Sequence, residues 1–284
     1  MAITVNTNVT SLNAQRNLGR TQKSLQGNLG RLSTGLRINT ASDDAAGLAI
    51  SEKLQSQIRS MSQAERNAND GVSLLQTAEG AMNEVSGVLT RMRELAVQSA
   101  NGTLGATERG FLNDEVTALS SELDRIAEVT EFNGAKLLAG GTTGTSFSFQ
   151  VGTGATTNDR ISSTVKGTKA TDLGIVTGGA VSSLAGIDIS TATGAQNALS
   201  VIDQAITDVS SRRADIGSVQ NRLNVTVANL GSARENLSAA NSRIRDVDVA
   251  SESAAMTRNN ILMQAGVSVL AQANQAPQVA LALL

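Results

Sequence analysis

The chain has 284 residues, with no His, Cys, Trp or Tyr, one Pro, four Phe and a formal net charge of −2. Without imidazole or thiol there is no His or Cys catalysis, no disulfide, no zinc finger and no haem or iron–sulfur ligation. Four aromatics give no stacking platform for single-stranded nucleic acid, and a near-neutral charge gives no global attraction to nucleic acid or anionic membrane.

Residues 1–42 carry Arg16, Arg20, Lys23, Arg31 and Arg37 and no acid. Leu18, Leu25 and Leu32 recur every seven residues, with Leu29 and Leu36 interleaved at the same spacing. That pattern predicts a helix packed on another helix. Ile3 to Thr10 is studded with Asn and Thr, so no ordinary signal peptide is expected.

The next element, over about 43–100, has the apolar stripe Leu54, Ile58, Met61, Ala68, Val72, Leu75, Met82, Val85, Leu89, Met92 and Ala96. As one helix it would extend about 85 Å, longer than a compact domain, which predicts a rod. Thr40, Ser42, Asp43 and Asp44 offer N-caps, and Asn101-Gly102 a stop. A shorter run, Leu112, Val116, Leu119, Leu123 and Ile126, started by Thr107, predicts a helix folding back on the long one. Asn133-Gly134 ends that region.

Residues 139–194 hold 11 of the 26 Gly and 12 Thr. Ser146 to Val151 alternates with period two, a strand signal. Short strands and loops are expected here, with a disordered linker as the alternative.

Over 199–244 one heptad position reads Ile202, Val209, Ile216, Leu223, Leu230, Leu237 and Ile244, all apolar. The other reads Leu199, Ile206, Arg213, Gln220, Val227, Arg234 and Asn241, whose polar members are expected to fix register or to permit alternative ones. Thr193 with Gln196 fits a capping box for this helix.

Nothing after Arg258 is charged apart from the terminal carboxylate. Its seam positions read Ala255, Leu262, Val269, Ala276, Leu283 and Asn259, Gly266, Ala273, Ala280. Small residues there allow close helix approach. Gln264, Gln272, Asn274, Gln275, Pro277 and Gln278 interrupt the tail, so no membrane span is expected. A lone helix is marginal in water, so both ends are expected to be mobile in the monomer and to order on assembly.

The fold class expected is mainly α: a long antiparallel helical rod or coiled-coil bundle with a small β-hairpin region in mid-chain. Five segments follow: 1–42, 43–138, 139–192, 193–244 and 245–284. Axial packing is assigned to Leu18, Leu25, Leu29, Leu32, Leu36, Leu262, Val269 and Leu283.

Motifs for chemistry are weak. Gly152-Thr153-Gly154 lacks the third Gly and the strand–helix frame of a phosphate loop. Ser163-Thr164-Val165-Lys166 matches S-x-x-K without its partner motifs. Asp43-Asp44, Asp114-Glu115 and Asp246/Asp248 read as caps or surface charge rather than catalytic or Ca²⁺-binding pairs. No catalytic, cofactor or metal site is expected.

Gly35-Leu36-Arg37-Ile38-Asn39-Thr40-Ala41-Ser42-Asp43-Asp44-Ala45-Ala46-Gly47-Leu48-Ala49-Ile50 resembles the N-terminal motif of bacterial flagellin. Ser242-Arg243-Ile244-Arg245-Asp246-Val247-Asp248, then Gln264-Ala265-Gly266 and Ser268 to Gln275, resemble its C-terminal counterpart, although Val249 stands where the family often has an aromatic. The resemblance covers about 1–140 and 195–284.

It implies an inner axial layer from both ends, an outer helical layer, and a structural role in a helical filament for swimming. It further implies export through the flagellar export apparatus with a chaperone, assembly beside filament cap and hook–filament junction proteins, and an extracellular location. By the same resemblance Arg91, Leu95 and Glu115 are contacts for the vertebrate Toll-like receptor 5. Neither nucleic acid nor a membrane is an implied partner. Two rivals remain: a hook–filament junction protein and a cytoplasmic coiled-coil adaptor.

Overall fold

The computed structural model describes residues 7–175 and 183–281, of which 276–281 are described as backbone alone. Five α-helices dominate: α1 (Val9–Thr34), α2 (Ala45–Ser99), α3 (Ala106–Val129), α4 (Ala192–Arg245) and α5 (Val249–Leu281). Among the described residues four strands lie between α3 and α4: β1 (Glu131–Phe132), β2 (Ala135–Lys136), β3 (Thr145–Gln150) and β4 (Arg160–Val165). Two compact units form, residues 1–58 with 235–284, and residues 59–234. Their limits fall inside α2 and α4 rather than at the expected 42/43 and 244/245.

In the first unit α1 and α5 run antiparallel. Asn8 caps α1 by accepting from Ser11 N at 3.1 Å, and its amide donates to Ala273 O at 2.7 Å. Gly35, at φ 72°, ends α1 in the left-handed region that a Cβ disfavours, and its N–H reaches Arg31 O. The chain then pairs with the α4–α5 link: Arg37 N donates to Arg245 O at 2.7 Å and Val247 N to Gly35 O at 3.0 Å.

Ile38 is buried, and Asp44 caps α2 by accepting from Gly47 N at 2.9 Å. Gly47, in the first turn of α2, lets the side chains of Asp44 and Ile38 approach closely, and a Cβ there would lie 2.7 Å from Ile38 Cδ1. Asp43 accepts from both the N–H and the hydroxyl of Thr40, then from Asn39 N, which holds its carboxyl below the usual value. Asp248 caps α5 through Ala250 N and Ser251 N. Capping is thus the role of Asp44 and Asp248, while Asp43 closes the link before α2.

The second unit has a continuous aliphatic core. From α2 it takes Ala68, Leu75, Met82, Val85, Leu89, Met92 and Ala96, all fully buried. Val116, Leu123 and Ala127 of α3 meet this stripe, as do Ile202, Val209, Ile216 and Leu223 of α4. The α2–α3 turn is held by Arg109, which donates to Ser99 O at 2.9 Å and Asn101 O at 3.0 Å. Asn133 (φ 51°) and Gly134 (φ 78°) form the two-residue turn between β1 and β2.

β3 and β4 are antiparallel, with Thr145 opposite Val165 and Gln150 opposite Arg160. Phe147 and Phe149 share the inward face of β3, as period two requires. Phe149 lies over Gly71, where a Cβ would sit 2.9 Å from the ring. The Gly/Thr-rich segment is therefore no free linker in its described parts: Val165, Ala170, Leu173, Leu184 and Ile189 belong to the same core.

The start of α4 differs from the expected Thr193 box. Thr191 is the cap, its hydroxyl accepting from Gly194 N at 3.0 Å, because the helix begins at Ala192. A reciprocal capping box does occur at Thr156 and Asp159, before β4.

Candidate functional site

Three arrangements in this fold can carry contacts. The first is the α1–α5 seam. Facing residues on α1 are Ser11, Ala14, Leu18, Thr21, Leu25, Asn28 and Leu32, a strict three–four alternation. On α5 they are Met256, Asn259, Met263, Gly266, Leu270 and Ala273. Much of this seam is polar or small. Ser11 Oγ donates to Asn274 Oδ1 at 2.7 Å. Asn28, with its amide turned to satisfy its neighbours, accepts from Met256 N at 3.0 Å. Gly266 admits Leu18, whose Cδ1 would stand 3.2 Å from an added Cβ.

Leu18, Leu25 and Leu32 of α1, with Asn259, Gly266 and Ala273 of α5, line this seam, whereas Leu29, Leu262 and Val269 are each about half exposed (51, 50 and 56%) in the single chain. On α5 the second seam row is Met256, Met263 and Leu270, one residue on from the expected Ala255, Leu262 and Val269. Apolar residues occupy both faces, so periodicity could not choose between them. Leu36 lies beyond the end of α1, half-buried, bridging to Asp246. Leu283 lies outside the described residues, as do the side chains of Ala276 and Ala280.

The second arrangement is the α4 seam. Ile202, Val209, Ile216 and Leu223 are buried, whereas Leu230, Leu237 and Ile244 are half-buried. Each polar residue of the other row has a partner on α2. Arg213 Nη2 is 3.9 Å from Glu79 Oε1, and Gln220 Nε2 donates to Glu79 Oε2 at 3.1 Å. Arg234 Nη1 donates to Glu65 Oε2 at 2.8 Å, and Ser51 Oγ donates to Asn241 Oδ1 at 2.7 Å. Arg93 adds a 2.7 Å pair to Asp203. Within each unit these contacts specify one antiparallel register, which narrows the earlier expectation of alternative ones.

The third arrangement is a charged cluster on α2 and α3. Arg91 Nε donates to Glu115 Oε1 at 3.0 Å and Nη1 to Glu94 Oε2 at 3.1 Å. The Glu115 bond first, then that from Glu94, raises the Arg91 pKa further. Leu95 does not join this surface. It is 1% exposed, inside the core of the second unit, so its side chain is closed to a partner of the folded chain.

Several organising side chains escaped sequence reasoning. Half-buried Arg212 donates to the carbonyls of Gly167 and Asp172, and burial lowers its pKa. Asp124 accepts from Ala170 N at 2.8 Å and Asp208 from Gly174 N at 3.1 Å. Glu128 binds both Lys136 and Lys169, which hold its carboxyl down at about 2. Bonds from isolated charges to loop backbone leave no periodic trace in a sequence. Among the described residues no cluster of acidic side chains could hold a metal ion, and no helix is long and apolar enough to cross a membrane.

The N-terminal helical region of bacterial flagellin matches residues 5–143, and the flagellin C-terminal helical region matches 199–284. A flagellin of Halalkalibacterium halodurans is 48% identical over 280 residues, covering 99% of each chain. The chain belongs to the bacterial flagellin family. It is a structural subunit of the flagellar filament. A flagellar filament 33 kDa core protein of Treponema phagedenis is 44% identical, again over 99% of each chain. The crystal structure of Bacillus cereus flagellin is 33% identical, covers 62% of this chain and 94% of that one, and superposes with a TM-score of 0.48.

Proposed function

We propose that this flagellin is secreted, polymerises as a helical homopolymer outside the cell, and serves as a propeller rather than a catalyst. Residues 1–42 and 245–284 supply the inner axial core, and 43–138 with 193–244 the outer rod. One observation carries this reading. Val9, Leu12 and Leu29 of α1, and Ile261, Leu262, Val267 and Val269 of α5, are each half or more exposed. A helix pair that turns apolar residues outward while keeping Ser, Thr and Asn between its members has its hydrophobic face reserved for other copies. Contacts of that kind between unlike faces do not close and so propagate as a filament.

Electron microscopy of the concentrated protein tests it. Filaments of uniform diameter are expected, and Leu29→Glu with Ile261→Glu leaves a helical protein that stays monomeric in sedimentation. Small closed oligomers from the unaltered chain would favour a coiled-coil adaptor instead.

The same reading makes the export apparatus with its chaperone, the filament cap and the hook–filament junction proteins the partners met before and during assembly. For the receptor, the folded surface supports Arg91 and Glu115 as contacts and leaves Leu95 a supporting role beneath them. An Arg fixed by two carboxylates on a helix is a preorganised anchor. Soluble monomer is expected to activate Toll-like receptor 5 in reporter cells, with Arg91→Ala about fivefold weaker or worse. No response to the monomer would remove this partner.

A further inference from the structure

The second unit carries an aromatic knob and a groove that the reading above does not use. Phe111 of α3 is 69% exposed, the most exposed large apolar side chain among the described residues. Glu108 and Asp114 lie three residues to either side, on the same helix face. Neither has an ion-pair partner among the described residues. The nearest cation in sequence, Arg109, is turned away onto the Ser99 and Asn101 carbonyls. An exposed benzyl group thus stands on an acidic face.

The groove lies between the β3–β4 hairpin and α4. Its volume is about 670 Å³, and Val151, Ile161 and Val225 line it together with Arg160, Arg222 and Asn221. Val151 and Ile161 form an apolar floor, 5% and 6% exposed, while Val225 is 61% exposed at the rim. Arg222 has no ion-pair partner among the described residues, and Arg160 donates to Gln150 Oε1 at 3.1 Å and lies near the Asp159 carboxylate, whose pKa it helps to lower. An aliphatic floor beneath two guanidinium groups suits an aromatic ring flanked by carboxylates.

Phe111 cannot fill the groove of its own chain. Glu115 pairs with Arg91, whereas Gln220, beside the groove, pairs with Glu79. The twelve residues of α2 between those levels span about 18 Å, and Phe111 lies a further turn beyond Glu115.

We propose that the groove receives the Phe111 face of a second copy of this chain, with Glu108 and Asp114 meeting Arg160 and Arg222. Knob and groove occupy different places on one subunit, so the contact is heterologous and repeats without closing. The proposal rests on the filament reading and assigns it one specific contact, charge-paired and therefore salt-sensitive.

The absence of cysteine permits a clean test. Thr107→Cys and Thr226→Cys are made in separate full-length chains, mixed, polymerised and treated with a short bis-maleimide. A cross-linked species of twice the subunit mass is expected from mixed filaments, and not from either variant alone or from dilute monomer. In parallel, Arg222→Glu is expected to raise the critical concentration for polymerisation roughly tenfold, with recovery on adding Asp114→Arg. Filaments that form without the cross-link, with Arg222→Glu polymerising like the unaltered chain, overturn the contact and leave the filament reading standing. Failure of the unaltered chain to form filaments overturns both.

Discussion

The α1–α5 pair and the α2–α3–α4 core are both built on heptads, yet they bury different things. In the core of the second unit the seam is aliphatic: Leu75, Met82, Leu89 and Met92 face Ile202, Val209 and Ile216, all with almost no exposure. Between α1 and α5 the seam alternates Leu with Ser, Thr, Asn and Gly, and large apolar side chains point outward. The first arrangement satisfies itself. The second leaves large apolar side chains outside its own seam, so the same periodicity accompanies a closed core in one place and an exposed apolar surface in the other.

The largest effect that would sharpen this contrast is a cavity in the self-sufficient core. Leu89→Ala should destabilise the monomer by about 2–5 kcal/mol, read by urea unfolding. Gly71→Ala forces a methyl group against the Phe149 ring and should cost about 1–3 kcal/mol, with the β3–β4 amides losing hydrogen-exchange protection. On the other side of the contrast, Ser11→Ala strands Asn274 and should weaken the α1–α5 pair by about 1 kcal/mol. Leu29→Ala should change monomer stability by less than about 0.5 kcal/mol while impairing filament growth. A monomer as sensitive at Leu29 as at Leu89 would abolish the distinction between core and interface. Hydrogen exchange gives a direct comparison, with α1 and α5 amides expected to exchange faster than those of α2 and α3 in dilute protein, and to become protected in filaments.

The smallest effect concerns pH. Glu128 is held at about 2 by Lys136 and Lys169, below its unfolded value of about 4.3. Its contribution to stability is therefore full above about pH 4.3 and lost as pH falls through about 2. Glu128→Gln should leave thermal unfolding nearly unchanged at pH 2 and lower it slightly at pH 6; equal shifts at both would show that the two lysines do not act through charge.

Legibility in the sequence follows the same divide. The heptads of α2 and α4 were readable because most of their large apolar residues fall on one stripe, and the burial of Leu75, Met82, Leu89 and Met92 follows from that. On α5 the choice between Leu262 and Met263, or Val269 and Leu270, was not legible, because adjacent apolar residues lie only about 100° apart on a helix and both can border the same seam. The cap of α4 fell on Thr191 rather than Thr193, since two threonines in three residues offer equal chemistry. Resemblance named Arg91, Leu95 and Glu115 as receptor contacts, but it carried no exposure, and so could not reveal that Leu95 lies under the surface. Arg212, Asp124 and Asp208, which tie loops to helices, had no signal to find.

Asn8 and Ala273 are hydrogen-bonded across 265 residues of chain. A contact between the two ends closes almost the largest loop that the polypeptide allows, so it is among the slowest to form and has no local substitute. A chain threaded out from one end would have to deliver nearly all of itself before α1 could find α5. A prematurely terminated copy would never complete that pair, and would lack the surface on which its neighbours build. The antiparallel pairing of the ends thus makes the first and last helices interdependent, since loss of either leaves the other without its partner.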